Sequence, residues 1–356
     1  MDRLKENISV DKKNIYLKLL VVILCGFALF FMVKFDYSAY SEPIGKIINV
    51  TNKGTTQQLT LELKNTERKG QEIQLKNKYD ESLVYGEKYQ KGDEVFLNNS
   101  MDQIQNLKRD HIVFAGIIIL FGLLILVGGV KGSLSAICLM INVLIFAGMM
   151  WAYLRGFNIF AAACMASILF SFLVLLFING ASKITFTSFA ATITTVAIVG
   201  LICFILLYIG KPVRYEYMEF LPEPYTRNQA NNFFLAQIII GCLGAVIDVS
   251  VTITSCATEL RRKDPNISMK NMVKSIKEVA DDITGTMINV VFFTNIAAEL
   301  PIFMISMKNE IRFLTVIKSN GFFDLARFFS SGIAILLAIP VSVIGVRLFM
   351  RGGREK

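Results

Sequence analysis

Asp248 is the residue whose type and position most invite chemistry. It sits some sixteen residues into an apolar run that begins near Asn232. At ~1.5 Å rise per residue, that is roughly 24 Å into a hydrocarbon slab ~30 Å thick. A charged carboxylate there costs at least ~2.5 kcal/mol unless it faces protein, water or an ion. Thr252, Ser255 and Glu259 follow at i+4, i+7 and i+11, so the four share one stripe of a helix. Gly241, Gly244 and Ala245 nearby are small enough to let another helix approach.

A second polar group lies downstream. Asp282, Thr286 and Asn289 fall within about 60° of arc on the next span, which runs antiparallel to the first. Counted inward from Glu259 and Asp282, Asp248 and Asn289 lie roughly 10–16 Å from the same membrane boundary. A carboxylate, a carboxamide and the hydroxyls of Thr252 and Thr286 are thus expected to converge. Hard oxygen ligands suit a small cation, and Asp248 can equally carry a proton. The alternative is a buried carboxylate that only fixes helix register. Further along, Asn295 and Glu299 mark either a second gate or the headgroup region. Ser188, Thr192 and Thr195, with Thr185, put four hydroxyls on one face of an earlier span, which either packs helices or lines a polar path.

The elements that must position these groups are membrane helices. The 356 residues are 54% hydrophobic and only 18% charged, too few charges for a soluble domain of this length. Eight apolar runs can cross a bilayer: Leu17–Val33, Ile112–Val130, Ser133–Tyr153, Ile159–Ile178, Phe186–Ile209, Phe233–Ser255, Ile283–Ile305 and Phe328–Leu348. The organisation expected is a basic cytoplasmic N-terminus (1–16), an anchor helix (17–33), an extracytoplasmic β module (34–110), a seven-helix membrane domain (111–350) and a basic cytoplasmic tail (351–356). The fold class is an α-helical polytopic membrane protein with about eight transmembrane helices and one small barrel-like β module.

That module is read from alternating or β-rich runs at Ile44–Val50, Gln58–Leu63, Glu72–Leu75, Leu83–Tyr85 and Glu94–Leu97, with glycine turns between them. Tyr79, Tyr85 and Tyr89 form either a binding face or rim packing. Between the fifth and sixth spans, the proline- and tyrosine-rich stretch Lys211–Asn231 reads as an interfacial loop. Ser268 can cap a basic amphipathic helix over residues 269–282 that lies on the inner leaflet or simply connects two spans.

The net charge of +9 comes from the membrane flanks, because residues 34–110 hold twelve Lys/Arg and twelve Asp/Glu. Fourteen basic residues flank one side against eight on the other, which places both termini in the cytoplasm and the chain in the plasma membrane. This distribution argues against a nucleic-acid partner. The six cysteines form no CxxC pair, so neither a disulfide framework nor a metal site is expected. No cofactor motif or Walker loop is present, and nothing resembles HExxH or GxSxG, so an enzyme is not expected. Residues 1–33 are read as an uncleaved anchor; the competing reading is a signal peptide cut at the Ala39-Tyr40-Ser41 site.

The runs GAVIDVSVTITSCATEL (Gly244–Leu260) and DITGTMIN (Asp282–Asn289) resemble the signatures of the YibE/F-like membrane protein family. The similarity extends across roughly residues 110–350, and the β module resembles that family's N-terminal region. The resemblance carries over Gly244, Asp248, Glu259, Asp282, Gly285, Thr286 and Asn289. Val290-Val291 stands where a Thr-Leu pair is expected, and Glu299 near a position expected to be small. What the resemblance implies is a polytopic protein of the transport class without a specified substrate. The partners expected are the lipid bilayer and, by analogy, a second copy or a paired homologous membrane protein. Two functions are carried forward: a secondary transporter or permease centred on Asp248 and Asn289, and a non-transporting assembly or sensor component whose β module binds a partner.

Overall fold

The computed structural model describes residues 20–80, 82, 86–210, 215, 226–319 and 321–349. The terminal tails, the strand expected at Leu83–Tyr85 with its Tyr85, and most of the loop at 211–231 lie outside the described residues. The chain divides into two compact units, Met1–Ser133 and Leu134–Lys356.

The first unit holds helix α1 (Leu20–Lys34), a 3-10 turn at Tyr37–Ala39, and five strands: β1 (Ile44–Lys53), β2 (Thr56–Leu63), β3 (Glu72–Lys78), β4 (Glu94–Leu97) and β5 (Ile104–Leu107). Neighbours pair antiparallel in the order β3-β2-β1-β4-β5. The sheet is therefore open, which corrects the expected barrel. No pairing joins β3 to β5 among the described residues, and β5 has only four residues with which to close one. One face is packed by Ile47, Leu59, Leu61, Leu63, Val95 and Leu97. Tyr89 belongs to this core, whereas Tyr79 is half-buried and donates to the Gly54 carbonyl at 3.1 Å. The fully buried Gln57 ties the segment before β4 to the sheet: its amide group exchanges two 2.9 Å hydrogen bonds with the backbone of Tyr89.

Where the sheet meets the membrane helices sits a buried ammonium. Lys108 donates to the Val33 carbonyl (3.1 Å), to Asp36 Oδ1 (3.0 Å) and to Asp110 Oδ2 (2.8 Å). Its side chain is 0% exposed, and the rings of Tyr37 and Tyr40 lie 5.7 and 5.3 Å away. Burial pulls the ammonium toward the neutral form, but the hydrogen bonds and charges of Asp110 and Asp36 outweigh it and hold its pKa above the ordinary lysine value.

Helix α2 (Asp110–Leu154) starts in this unit and is interrupted at Gly129, whose φ of 55° is open to glycine. A Cβ on Gly132 would strike the carbonyl oxygen of Leu124, eight residues earlier. A continuous helix would hold those positions about 12 Å apart, so the chain turns sharply here. This is where the sequence separates the second and third apolar runs.

The second unit contains the remainder of α2 with α3 (Ile159–Asn179), α4 (Lys183–Ile209), α5 (Arg227–Lys263), α6 (Met269–Lys308), α7 (Phe313–Ser319) and α8 (Phe322–Phe349). Asn158, Ser182 and Ser268 cap α3, α4 and α6 by accepting backbone N–H bonds. Phe234, Leu235, Ile253 and Ala257 of α5 meet Val199 of α4, Ile276 of α6 and Ile335 of α8 in one core. Among the described residues, six helices (α2 to α6 and α8) are long and apolar enough to cross a membrane. The described part of α1 is apolar but shorter.

Helix α6 runs unbroken from Met269, so the segment 269–282 is not a separate helix. Met272, Ile276 and Ala280 are buried in the bundle core, whereas Val273 stays exposed.

Candidate functional site

Helix α5 begins with a capping box, in which Thr226 Oγ1 accepts from Gln229 N (3.3 Å) and Gln229 Oε1 accepts from Thr226 N (2.8 Å). It ends on Arg261, Arg262 and Lys263, cations that suit a helix C-terminus. Between these ends, residues 230–258 have only four exposed positions: Gln237, Gly241, Gly244 and Asp248. They recur at i, i+4, i+7 and i+11 and continue through half-buried Thr252 and Ser255 to exposed Glu259. No large apolar side chain of α5 is exposed, whereas α3, α4, α6 and α8 all expose several. A Cβ built on Gly241 or Gly244 meets nothing within 4 Å, so the face is open as well as polar.

The polar residues of α6 are also exposed. Asp282, Gly285, Thr286 and Asn289 all face outward. Their donors are spent on their own helix: Thr286 Oγ1 on the Asp282 carbonyl (3.3 Å) and Asn289 Nδ2 on the Gly285 carbonyl (2.8 Å). On α5, Thr252 Oγ1 likewise donates to the Asp248 carbonyl at 2.7 Å. Among the described residues, no hydrogen bond or ion pair joins these α5 side chains to those of α6, and none engages the Asp248 carboxylate. The structure thus gives two polar stripes but no closed cage. Glu259 pairs with Arg262 at 2.8 Å.

Because α6 is continuous, heights are counted from the α5–α6 turn. Asp248 lies fifteen residues before Lys263, and Asp282 thirteen after Met269. Both are roughly 20–22 Å from that turn, so Asp282 stands level with Asp248 rather than at the mouth with Glu259.

The hydroxyls of α4 belong elsewhere. Thr185, Ser188, Thr192 and Thr195 are all fully buried. Ser188 Oγ donates to the Ser250 carbonyl of α5 at 3.4 Å. Ser250 is about 200° around α5 from Asp248, so this row packs against the opposite side of the helix. Asn295 and Glu299 line a cavity of about 130 Å³ with Phe303, Phe313 and Asp324, and Asp324 is ion-paired to Arg327.

Sequence reasoning missed Gln237, although its spacing from Gly241 and Gly244 extends the stripe outward. It also missed Lys108. Among the described residues, no group of three or more His, Cys, Asp or Glu side chains could hold a metal ion.

Six helices of membrane-crossing length, one of them bearing an outward polar stripe, together with a small N-terminal antiparallel sheet, fit the class of polytopic membrane proteins. The family model described as YibE/F-like protein matches residues 116–352, and that of the YibE/F family N-terminal domain matches residues 38–109. The chain belongs to the YibE/F family. Comparison with curated proteins and with solved structures gave no match.

Proposed function

We propose that this chain is a secondary transporter or permease of the plasma membrane that moves a small ion or solute along the outward stripe of α5. The observation that carries this reading is that α5 exposes Gln237, Gly241, Gly244 and Asp248 and no large apolar side chain. Lipid-facing surfaces are built from apolar residues, and a carboxylate is costly there. Water or solute beside this face removes the cost. Asp248 then binds the cation or proton, with Thr252, Ser255, Asp282, Thr286 and Asn289 offering oxygen atoms and Glu259 drawing cations toward the basic end. Counting α2 as two crossings and α1 as one gives eight, with both termini cytoplasmic and the sheet outside. A second copy, or a paired homologue, walls the stripe from the far side.

The test is flux in proteoliposomes. Asp248→Asn and Asp248→Ala are expected to lose transport while folding normally. Parental flux in both variants removes the proposal.

Among the described residues no strand pairs with the outer edge of β3, which favours the assembly or sensor reading, since an edge strand can accept a partner's strand. Deleting residues 40–105 separates the two: a transporter keeps partial flux, whereas an assembly component loses all phenotype.

A further inference from the structure

The Lys108 ammonium has three N–H donors, and the structure supplies three acceptor groups: the Val33 carbonyl at the end of α1, Asp36, and Asp110 at the start of α2. The two tyrosines over the ammonium are themselves fixed. Tyr37 Oη donates to Glu94 of β4, and Tyr40 Oη to Asp110, both at 2.6 Å. The backbone on either side of Ser41 is tied too. Asn65 Nδ2 donates to the carbonyls of Tyr40 (3.3 Å) and Glu42 (2.8 Å), while its Oδ1 accepts from Ile44 N at 2.7 Å. Tyr37–Ala39 is coiled into a 3-10 turn.

We infer that the bond after Ser41 is not cut and that α1 stays in the mature protein as a permanent element, locked to the sheet and to α2 through Lys108. A leader peptidase reading Ala39-Tyr40-Ser41 needs an extended segment free to lie along its own strands. Here the segment leaves a 3-10 turn at Ala39, and the carbonyls of Tyr40 and Glu42, on either side of Ser41, are engaged from within. Cleavage would also remove Val33, Asp36, Tyr37 and Tyr40 together. Lys108 would keep only Asp110, and Glu94 would lose the hydroxyl it accepts from. An ammonium with 0% side-chain exposure tolerates such a loss poorly, since water does not replace the missing acceptors. The anchor is thus part of the folded unit rather than a removable address. This inference is independent of transport.

The experiment is an intact-mass measurement on the full chain, purified from membranes by a C-terminal tag, with limited trypsinolysis after Lys34 as the second arm. The expected mass is that of a chain retaining α1, and Lys108→Met should be cut after Lys34 on the order of thirtyfold or more faster than the parent, because the opened lock is more populated. Should Lys108→Met not accumulate in membranes, Asp36→Asn serves for the same comparison. A parent chain beginning at Glu42 overturns the inference. Equal cutting rates in parent and variant overturn the lock.

Discussion

Ser188 on α4 donates to the backbone carbonyl of Ser250 on α5 at 3.4 Å, while Asp248, two residues away, looks outward. That one bond fixes which side of α5 is mortar and which is free. It places the α4 hydroxyls in the mortar.

If those hydroxyls only pack, removing them costs nothing. Thr192 and Thr195 are fully buried, and neither hydroxyl has a partner among the described residues. Thr192→Val and Thr195→Val keep the shape and delete an unsatisfied polar group, which is neutral or stabilising. Melting temperatures equal to or above the parent's, with flux retained, are expected. Lost flux at an unchanged melting temperature would return these residues to the pathway.

The glycines offer a contrast within one family of substitutions. Gly244→Leu adds a side chain to open space and replaces a poor helix former, so the fold should gain up to ~1 kcal/mol while function falls. Gly132→Ala drives its methyl into the Leu124 carbonyl and should lower the melting temperature. A thermal-shift assay on both variants, with flux for the first, checks the pair.

Lys108→Met strips the charge from the lock and leaves Asp36 and Asp110 facing an apolar chain. Breaking a fully buried pair costs ~3–5 kcal/mol. The carboxylates here keep side-chain exposures of 25% and 23%, so about 2–3 kcal/mol is expected. Chemical denaturation followed by tyrosine signals measures it.

The same cluster sets a pH window. Lys108, Tyr37 and Tyr40 all have pKa values raised above their ordinary ones. Burial dominates for Tyr37, and the hydrogen bond to Asp110 dominates for Tyr40. Each group holds its proton more tightly folded than unfolded. The stability they add is therefore complete below the unfolded values of 10.0 and 10.5 and drains as pH rises through the folded ones. The gap in melting temperature between parent and Lys108→Met should be constant from about pH 7 to 9 and narrow by about pH 11.

The long apolar helices were legible because lipid-compatible runs need no partner to be recognised, and Ser268 announced its helix by type and spacing. The sheet was legible in β1 to β4, where alternation is strong. Ile104–Leu107 was not, since Ile-Gln-Asn-Leu carries no alternating signal and pairs only because β4 offers an edge. Barrel closure depends on two edges meeting, which no local pattern encodes. The spacing of Asp248, Thr252, Ser255 and Glu259 gave the stripe. Its outward direction was hidden, because α5 is apolar on its other sides and only the packing of α3, α4, α6 and α8 decides which are covered. Lys108 escaped notice because Lys-Arg-Asp before a span reads as ordinary flanking charge, and the acceptors in Val33 and Asp36 lie more than seventy residues away.

A helix with one greasy outer side has a reserve of positions where Leu, Ile, Val or Phe are interchangeable. α5 has no such reserve: inward residues are held by close fit, and outward ones are glycine or polar. Saturation mutagenesis along the membrane should therefore reveal α3, α4 and α8 as ladders of tolerant and intolerant rungs. Across α5 the intolerance should run as one unbroken band.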